Sequence, residues 1–165
     1  MSKQILTQER LRELLDYDPQ TGLFTWRVWK GARAPIGGIA GSPDSSGHIQ
    51  ILIDKHPYRA HRLAWLHVHG EWPKDQIDHI NGIRTDNRLS NLRDVPHLIN
   101  SQNKRSTHNA SGSMVGVRRR IRNGRWEARL TIAGKLTILG AYDTPDEARA
   151  AYVQAKRIHH QGCTI

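Results

Sequence analysis

Residues 78–92, DHINGIRTDNRLSNL, set an aspartate and a histidine side by side among short polar residues. His79 titrates near neutral pH, so it suits the removal of a proton from water. Asp78 offers the hard oxygen that Mg2+ or a similar cation takes. On an extended chain, adjacent side chains point to opposite faces, so the two groups would not crowd one another. A second ligand has to come from elsewhere in the chain. A base and a Lewis acid held in register are what phosphodiester hydrolysis requires. The same stretch also suits a solvated loop, because Asn81-Gly82 and Asp86-Asn87 are turn signals. Cys163 is the only cysteine, which excludes an intrachain disulfide and a cysteine-based zinc site. Any metal must therefore sit on Asp, Glu, Asn, His or backbone oxygen.

The surrounding elements follow from pattern. Residues 7–16 predict a short helix with an apolar stripe of Leu11, Leu14 and Leu15 and an imperfect capping box from Thr7. Residues 16–22 predict a turn, and residues 23–29 a strand. HIQILID alternates as a second strand, and HRLAWLHVHG suits a helix stopped by Gly70. The opening stretch is too punctuated for a long element and predicts two short strands joined by a loop. A helix then begins near Pro96, with Asp94 as the best available cap. Past residue 113 the pattern changes to three strand-like runs, with turns at Asn123-Gly124 and Ala133-Gly134. Thr144, Pro145 and Glu147 then open a helix whose apolar stripe is Ala148, Ala151, Tyr152, Ala155 and Ile158. The expected division is residues 1-105, a linker over 106-112, and a basic module over 113-165.

Charge separates the two halves. The net is +10 overall. Residues 104–165 hold 12 Lys/Arg and 4 Asp/Glu, a net of +8, which leaves 13 and 11, a net of +2, for residues 1–103. Such a basic half predicts a polyanion partner, nucleic acid by default and anionic membrane as the rival. No apolar run reaches the roughly 18 residues of a spanning helix, and no signal peptide is visible, so a soluble, cytoplasmic protein is expected. Alternation along RWEARLTI and VGVRRR puts Arg118, Arg120, Arg125 and Arg129 with Thr131 on the side away from the last helix. That face is either a solvated charged surface or a ribbon for the DNA major groove. Membrane binding fits poorly, because the arginines lie on strands rather than on an amphipathic helix.

The residues HRLAW, DHING, DNRLSNL and Asn100, with 12 positions from His79 to Asn91 and 9 from Asn91 to Asn100, resemble an HNH endonuclease of the phage and intron-homing kind. The resemblance implies an α+β fold: a small ββα-metal nuclease finger (core motif 60-104) with an N-terminal strand/helix elaboration that braces the finger or extends its DNA contact. It implies His79 as general base, Asp78 and Asn100 as metal ligands, and Asn91 as the residue that ties the loop and orients the histidine. This is the variant with Asn in the third place, and Asn103 is the alternative to Asn100. One divalent ion is implied, Mg2+ or else Mn2+. Double-stranded DNA would be cut to 5′-phosphate and 3′-hydroxyl ends by a monomer or a DNA-induced dimer, usually encoded by a mobile element. A DNA-binding regulator or an inactive nuclease relic is the alternative. Pro96 departs from the Thr cap of many relatives at the start of the finger helix.

VGVRRR, GRWEARL and LGAYDTPDEARAAY resemble the plant ethylene-response-factor DNA-binding domain, over about residues 112–160. This implies a C-terminal three-stranded antiparallel sheet packed on one helix, reading DNA with Arg118, Arg120, Arg129 and Thr131. Arg125 and Lys135 would touch the DNA backbone. The third strand departs from the family, with Leu136 and Ile138 where plant members place an Arg and a Trp. Five other histidines carry no expected chemistry: His61 is read as a helix-packing or positioning residue, His67 and His69 as lying on different helix faces, and His159 and His160 as helix-end charge.

Overall fold

The computed structural model describes residues 6–103, 114–160 and 162–163. The chain divides into two units, Met1–His97 and Leu98–Ile165. The expected linker over 106-112 lies outside the described residues. Among those residues the fold is mixed, with four α-helices and several small antiparallel sheets.

In the first unit, α1 (Gln8–Leu14) starts where the Thr7 hydroxyl accepts the Arg10 N–H at 3.2 Å. Leu11 and Leu14 bury one face of it, each stabilising by roughly 2 kcal/mol. The chain then extends as β1 (Leu15–Asp18), antiparallel to β2 (Leu23–Trp26), with Leu15 opposite Trp26. The expected turn is thus narrower than residues 16–22, because Leu15 and Tyr17 alternate inward and carry the strand as far as Asp18. Asp18 closes it by accepting the Gln20 N–H and the Thr21 hydroxyl, both at 2.8 Å.

This hairpin presses on a distant loop. Tyr17 donates its hydroxyl to the Asn87 carbonyl at 2.7 Å, and Leu89 donates its N–H to the Pro19 carbonyl. Gly22 (φ +75°) passes so close that a Cβ there would lie 2.4 Å from the Arg88 nitrogen. Only glycine meets both conditions.

A second sheet orders β3 (Ser42–Pro43), β4 (Ile49–Ile53) and β5 (His56–Arg59). Helix α2 (Ala60–His69) follows and buries Ala60, His61, Leu63, Ala64 and Leu66. Gly70, in the left-handed conformation, ends it as the sequence predicts. Leu11, Leu15, Phe24, Ile51, Ile53, Leu63 and Leu66 are the largest fully buried side chains of this core.

The third sheet pairs β6 (Gln76–His79) with β7 (Leu92–Val95), Asp78 opposite Arg93 and His79 opposite Leu92. Asp94 does not cap the next helix. Its carboxylate accepts the N–H groups of Lys74 and Asp75 at 2.7 and 3.0 Å, fixing the turn into β6. Helix α3 (His97–Gln102) begins directly after Pro96, at the boundary between the units.

The second unit holds the antiparallel order β8 (Val117–Arg119), β9 (Trp126–Ile132) and β10 (Lys135–Tyr142), then α4 (Pro145–His159). The predicted capping box forms between Thr144 and Glu147. Val117, Ala128, Leu130, Ala148 and Tyr152 make the core between sheet and helix. Gly116 lets Tyr152 approach, since a Cβ would fall 2.1 Å from its ring. Among the described residues, no helix is long and apolar enough to cross a membrane.

Candidate active site

His79 ends β6 and is buried. Its Nε2 lies 3.1 Å from the amide oxygen of Asn87, itself buried. An amide oxygen only accepts, so this contact is a hydrogen bond in the tautomer with the proton on Nε2 and the lone pair on Nδ1. Burial lowers the pKa of His79 below that of free imidazole, against the opposing pull of the Asn87 bond and of Asp78 and Asp86. A neutral imidazole with an assigned lone pair is a competent proton acceptor at neutral pH.

The loop between β6 and β7 holds Asn87 in place. Asn91, also buried, accepts the Asn81 N–H on Oδ1 at 2.9 Å and donates Nδ2 to the Asp86 carbonyl at 2.8 Å. Its own carbonyl accepts the Ile80 N–H. One side chain therefore ties both ends of the loop to the start of β7. Asp86 adds bonds from Asn81 Nδ2 and from the Arg88 guanidinium, both at 2.6 Å. The Arg88 bond leads the causes that hold the Asp86 carboxyl down at about 2. From outside, the β1–β2 hairpin holds the Asn87 and Leu89 backbone, so the N-terminal elaboration braces the loop that aims His79.

Asp78 is buried, and its Oδ2 accepts two bonds from Arg93, at 2.9 Å from Nε and 2.7 Å from Nη2. The β6–β7 register puts these two residues directly opposite one another, on one face of the pair. Asp78, His79 and Asn91 all belong to the first unit, whereas half-buried Asn100 and buried Asn103 belong to the second.

Two histidines join His79. The His61 ring lies edge-on to it with centroids 4.9 Å apart, and the His48 ring is 5.8 Å away. From sequence alone His61 is a helix-packing or positioning residue, and His48 carries no signal. Asn87 likewise reads as a turn residue, and Arg93 has no assigned part. The DNR and NLR runs contain Asn87 and Arg93, but only strand pairing and loop closure show what they touch.

In the second unit, the register sets Arg118, Glu127, Arg129, Thr131, Leu136 and Ile138 on the sheet face away from α4. Arg118, Thr131 and Lys135 are exposed and Arg129 is half-buried. Arg120 lies just past β8, with its guanidinium 3.0 Å from the buried Glu127 carboxylate, and Arg125 pairs with Asp143 at 3.0 Å. Leu136 and Ile138 add an apolar strip, 59% and 56% exposed.

Residues 58–102 match the HNH endonuclease family. The matched segment runs from β5 to the end of α3 and contains His61, Asp78, His79, Asn87, Asn91, Arg93 and Asn100, but not His48. The chain is also similar to a solved structure of the HNH homing endonuclease I-HmuI, described by its DNA binding and cleavage. The identity is 20%, over 90% of this chain and 88% of that one, with a TM-score of 0.44. No curated protein matches.

Proposed function

We propose that the chain is a metal-dependent DNA endonuclease in which His79 activates the attacking water. The observation that carries this reading is the bond from His79 Nε2 to Asn87 inside a loop tied by Asn91, within the segment that matches the HNH family. His79 takes a proton from water on Nδ1. Asn87 keeps the other ring nitrogen protonated and fixes the angle of the ring.

The donor chemistry fits a hard cation: the carboxylate of Asp78 and the carboxamide of Asn100 are oxygen ligands of the kind Mg2+ or Mn2+ takes, with water completing the set. Asp78 is seated for that task by Arg93, which holds the buried carboxylate from the opposite strand. When bound, the ion supplies a Lewis acid that neutralises charge on the phosphate and the departing 3′-oxygen. Arg93 adds a guanidinium next to that charge. The products are 5′-phosphate and 3′-hydroxyl ends.

Double-stranded DNA lies on the sheet of the second unit in this reading, which is of the ethylene-response-factor type. Arg118, Arg129 and Thr131 face the groove and Lys135 contacts phosphate, whereas Arg120 and Arg125 are partly spent on Glu127 and Asp143. The protein acts as a monomer or a DNA-induced dimer, in the setting of a mobile element.

The test is plasmid nicking with Mg2+, with Mn2+ and with EDTA, beside a gel-shift measurement. Metal-dependent nicking that disappears in His79→Ala, with binding kept, supports the reading. Binding by the wild type without nicking under any metal assigns the chain to non-catalytic DNA-binding proteins instead.

A further inference from the structure

We propose that His48, His61 and His79 form a binding site for a late first-row divalent cation, Zn2+ or its neighbours, whose occupancy silences the nuclease. The three residues come from separate elements: His48 just before β4, His61 on α2 and His79 at the end of β6. One ring nitrogen from each lies within 4.8 Å of the other two. The ring centroids of His48 and His61 are 5.1 Å apart, those of His61 and His79 4.9 Å. Three nitrogens on a tetrahedral zinc stand about 3.4 Å apart for bonds of about 2.1 Å. The proposal requires the His48 and His61 side chains to close that difference around His79 as the ion binds.

His61 supplies the second observation. It is 5% exposed, and its Nδ1 is buried with no hydrogen-bond partner among the described residues. Buried polar nitrogens are almost always satisfied, so an unsatisfied one on a ring 4.9 and 5.1 Å from two other imidazoles calls for a ligand.

Outer partners orient two of the rings, as they do in metal sites generally. The Ser46 hydroxyl lies 2.7 Å from His48 Nδ1 and donates to Asp44 at 2.6 Å. Asn87 holds His79.

An all-imidazole donor set selects against Mg2+ and for the cations at the upper end of the Irving–Williams order. The site therefore differs in kind from the oxygen ligands Asp78 and Asn100. It shares one residue with the reaction, and that sharing gives the regulation: an imidazole whose lone pair is on a cation cannot accept a proton from water. Mg2+ then supports cleavage, while Zn2+ at the histidines stops it without displacing Mg2+. The inhibition rests on the reading of His79 as base; the binding does not.

The experiment uses the full chain stripped of metal and titrated with Co2+, read by its visible absorption, with Zn2+ as competitor. One cation per chain with a tetrahedral-type band is expected, displaced by Zn2+. His48→Ala, at a half-exposed position, and His61→Ala should each weaken binding about 100-fold. Circular dichroism checks that both variants fold, and His48→Ala alone decides if His61→Ala does not. Absence of binding, or binding that survives His48→Ala unchanged, overturns the site. In parallel, Mg2+-supported nicking by the wild type is titrated with Zn2+, and the inhibiting concentration should rise about 100-fold in His48→Ala, in step with binding. Binding without inhibition overturns the coupling through His79. A wild type that never nicks defeats the nuclease reading, while the Co2+ titration still decides the histidine site.

Discussion

The polar side chains that matter in the first unit are buried, and each is held by partners that can be named. His79 rests on Asn87, Asn91 spans a loop, and Asp78 meets Arg93. In the second unit the corresponding side chains lie on an open sheet face, where Arg118, Thr131 and Lys135 are exposed. Buried groups have one geometry or none, because losing a partner strands a polar atom away from water. Exposed groups adapt, and each adds a small increment through charge. Chemistry needs the first arrangement and backbone binding tolerates the second. Substitutions should therefore be abrupt in one unit and graded in the other.

The largest expected effect is at His79. His79→Ala should lower the nicking rate about 1000-fold, with the affinity for DNA within a few-fold of wild type by gel shift. Loss of both functions together would erase the contrast between the units.

Next is Asn87. Asn87→Ala should slow cleavage about 10- to 100-fold, because the ring loses its fixed tautomer and angle. Asn87→Asp keeps an acceptor and adds negative charge, which raises the pKa of His79. Its activity should return in part, with the acid limb of the pH–rate profile moved upward. A merely structural role for Asn87 would leave that limb where it is.

This residue also marks how far the sequence could be read. Helix ends were legible because their signals are local: Thr7, Thr144 with Glu147, and Gly70 act on neighbours within a turn. The antiparallel pairings and the basic sheet with its helix followed from alternation and Asn-Gly turns in the same way. Asn87, Arg93 and His48 were not legible, since their meaning arises only where distant segments meet. Asn87 looks like any turn residue until the β1–β2 hairpin pins its backbone and its side chain swings to His79. Asp94 shows the reverse case: a plausible cap by position, it is drawn to the Lys74 and Asp75 amides, a competition no local pattern records.

A dependence of stability on pH, of similar size, is expected from the same histidine cluster. His61 is held neutral down to about 3, whereas in the unfolded chain it titrates near the free-imidazole value of 6.5. Between these values the unfolded state binds the proton and the folded state does not, so stability falls as pH drops. By pH 4 this one residue should cost roughly 3 kcal/mol, with His48 and His79 adding in the same direction. Urea titrations of metal-free protein at pH 7 and at acid pH check the sign. His61→Gln, which titrates in neither state, should flatten the curve. A curve that stays as steep would place the acid sensitivity elsewhere, as in the carboxylates of Asp44 and Asp86, both held at about 2.

The smallest effects belong to the sheet, and there two neighbouring arginines sharpen the comparison. Arg118 is exposed, whereas the Arg120 guanidinium is committed to Glu127, a buried carboxylate. Arg118→Ala should weaken DNA binding a few-fold and reduce the slope of log affinity against log salt by about 1, with the melting temperature unchanged. Arg120→Ala should move that slope less. Instead it leaves Glu127 without its cation and lowers stability by about 1 to 3 kcal/mol. If Arg120 changed the salt slope as much as Arg118, its charge would be reaching phosphate despite Glu127. The second unit would then use ion-paired and open arginines alike, and the line between a committed side chain and a free one would be drawn by burial of the partner rather than by the pair itself.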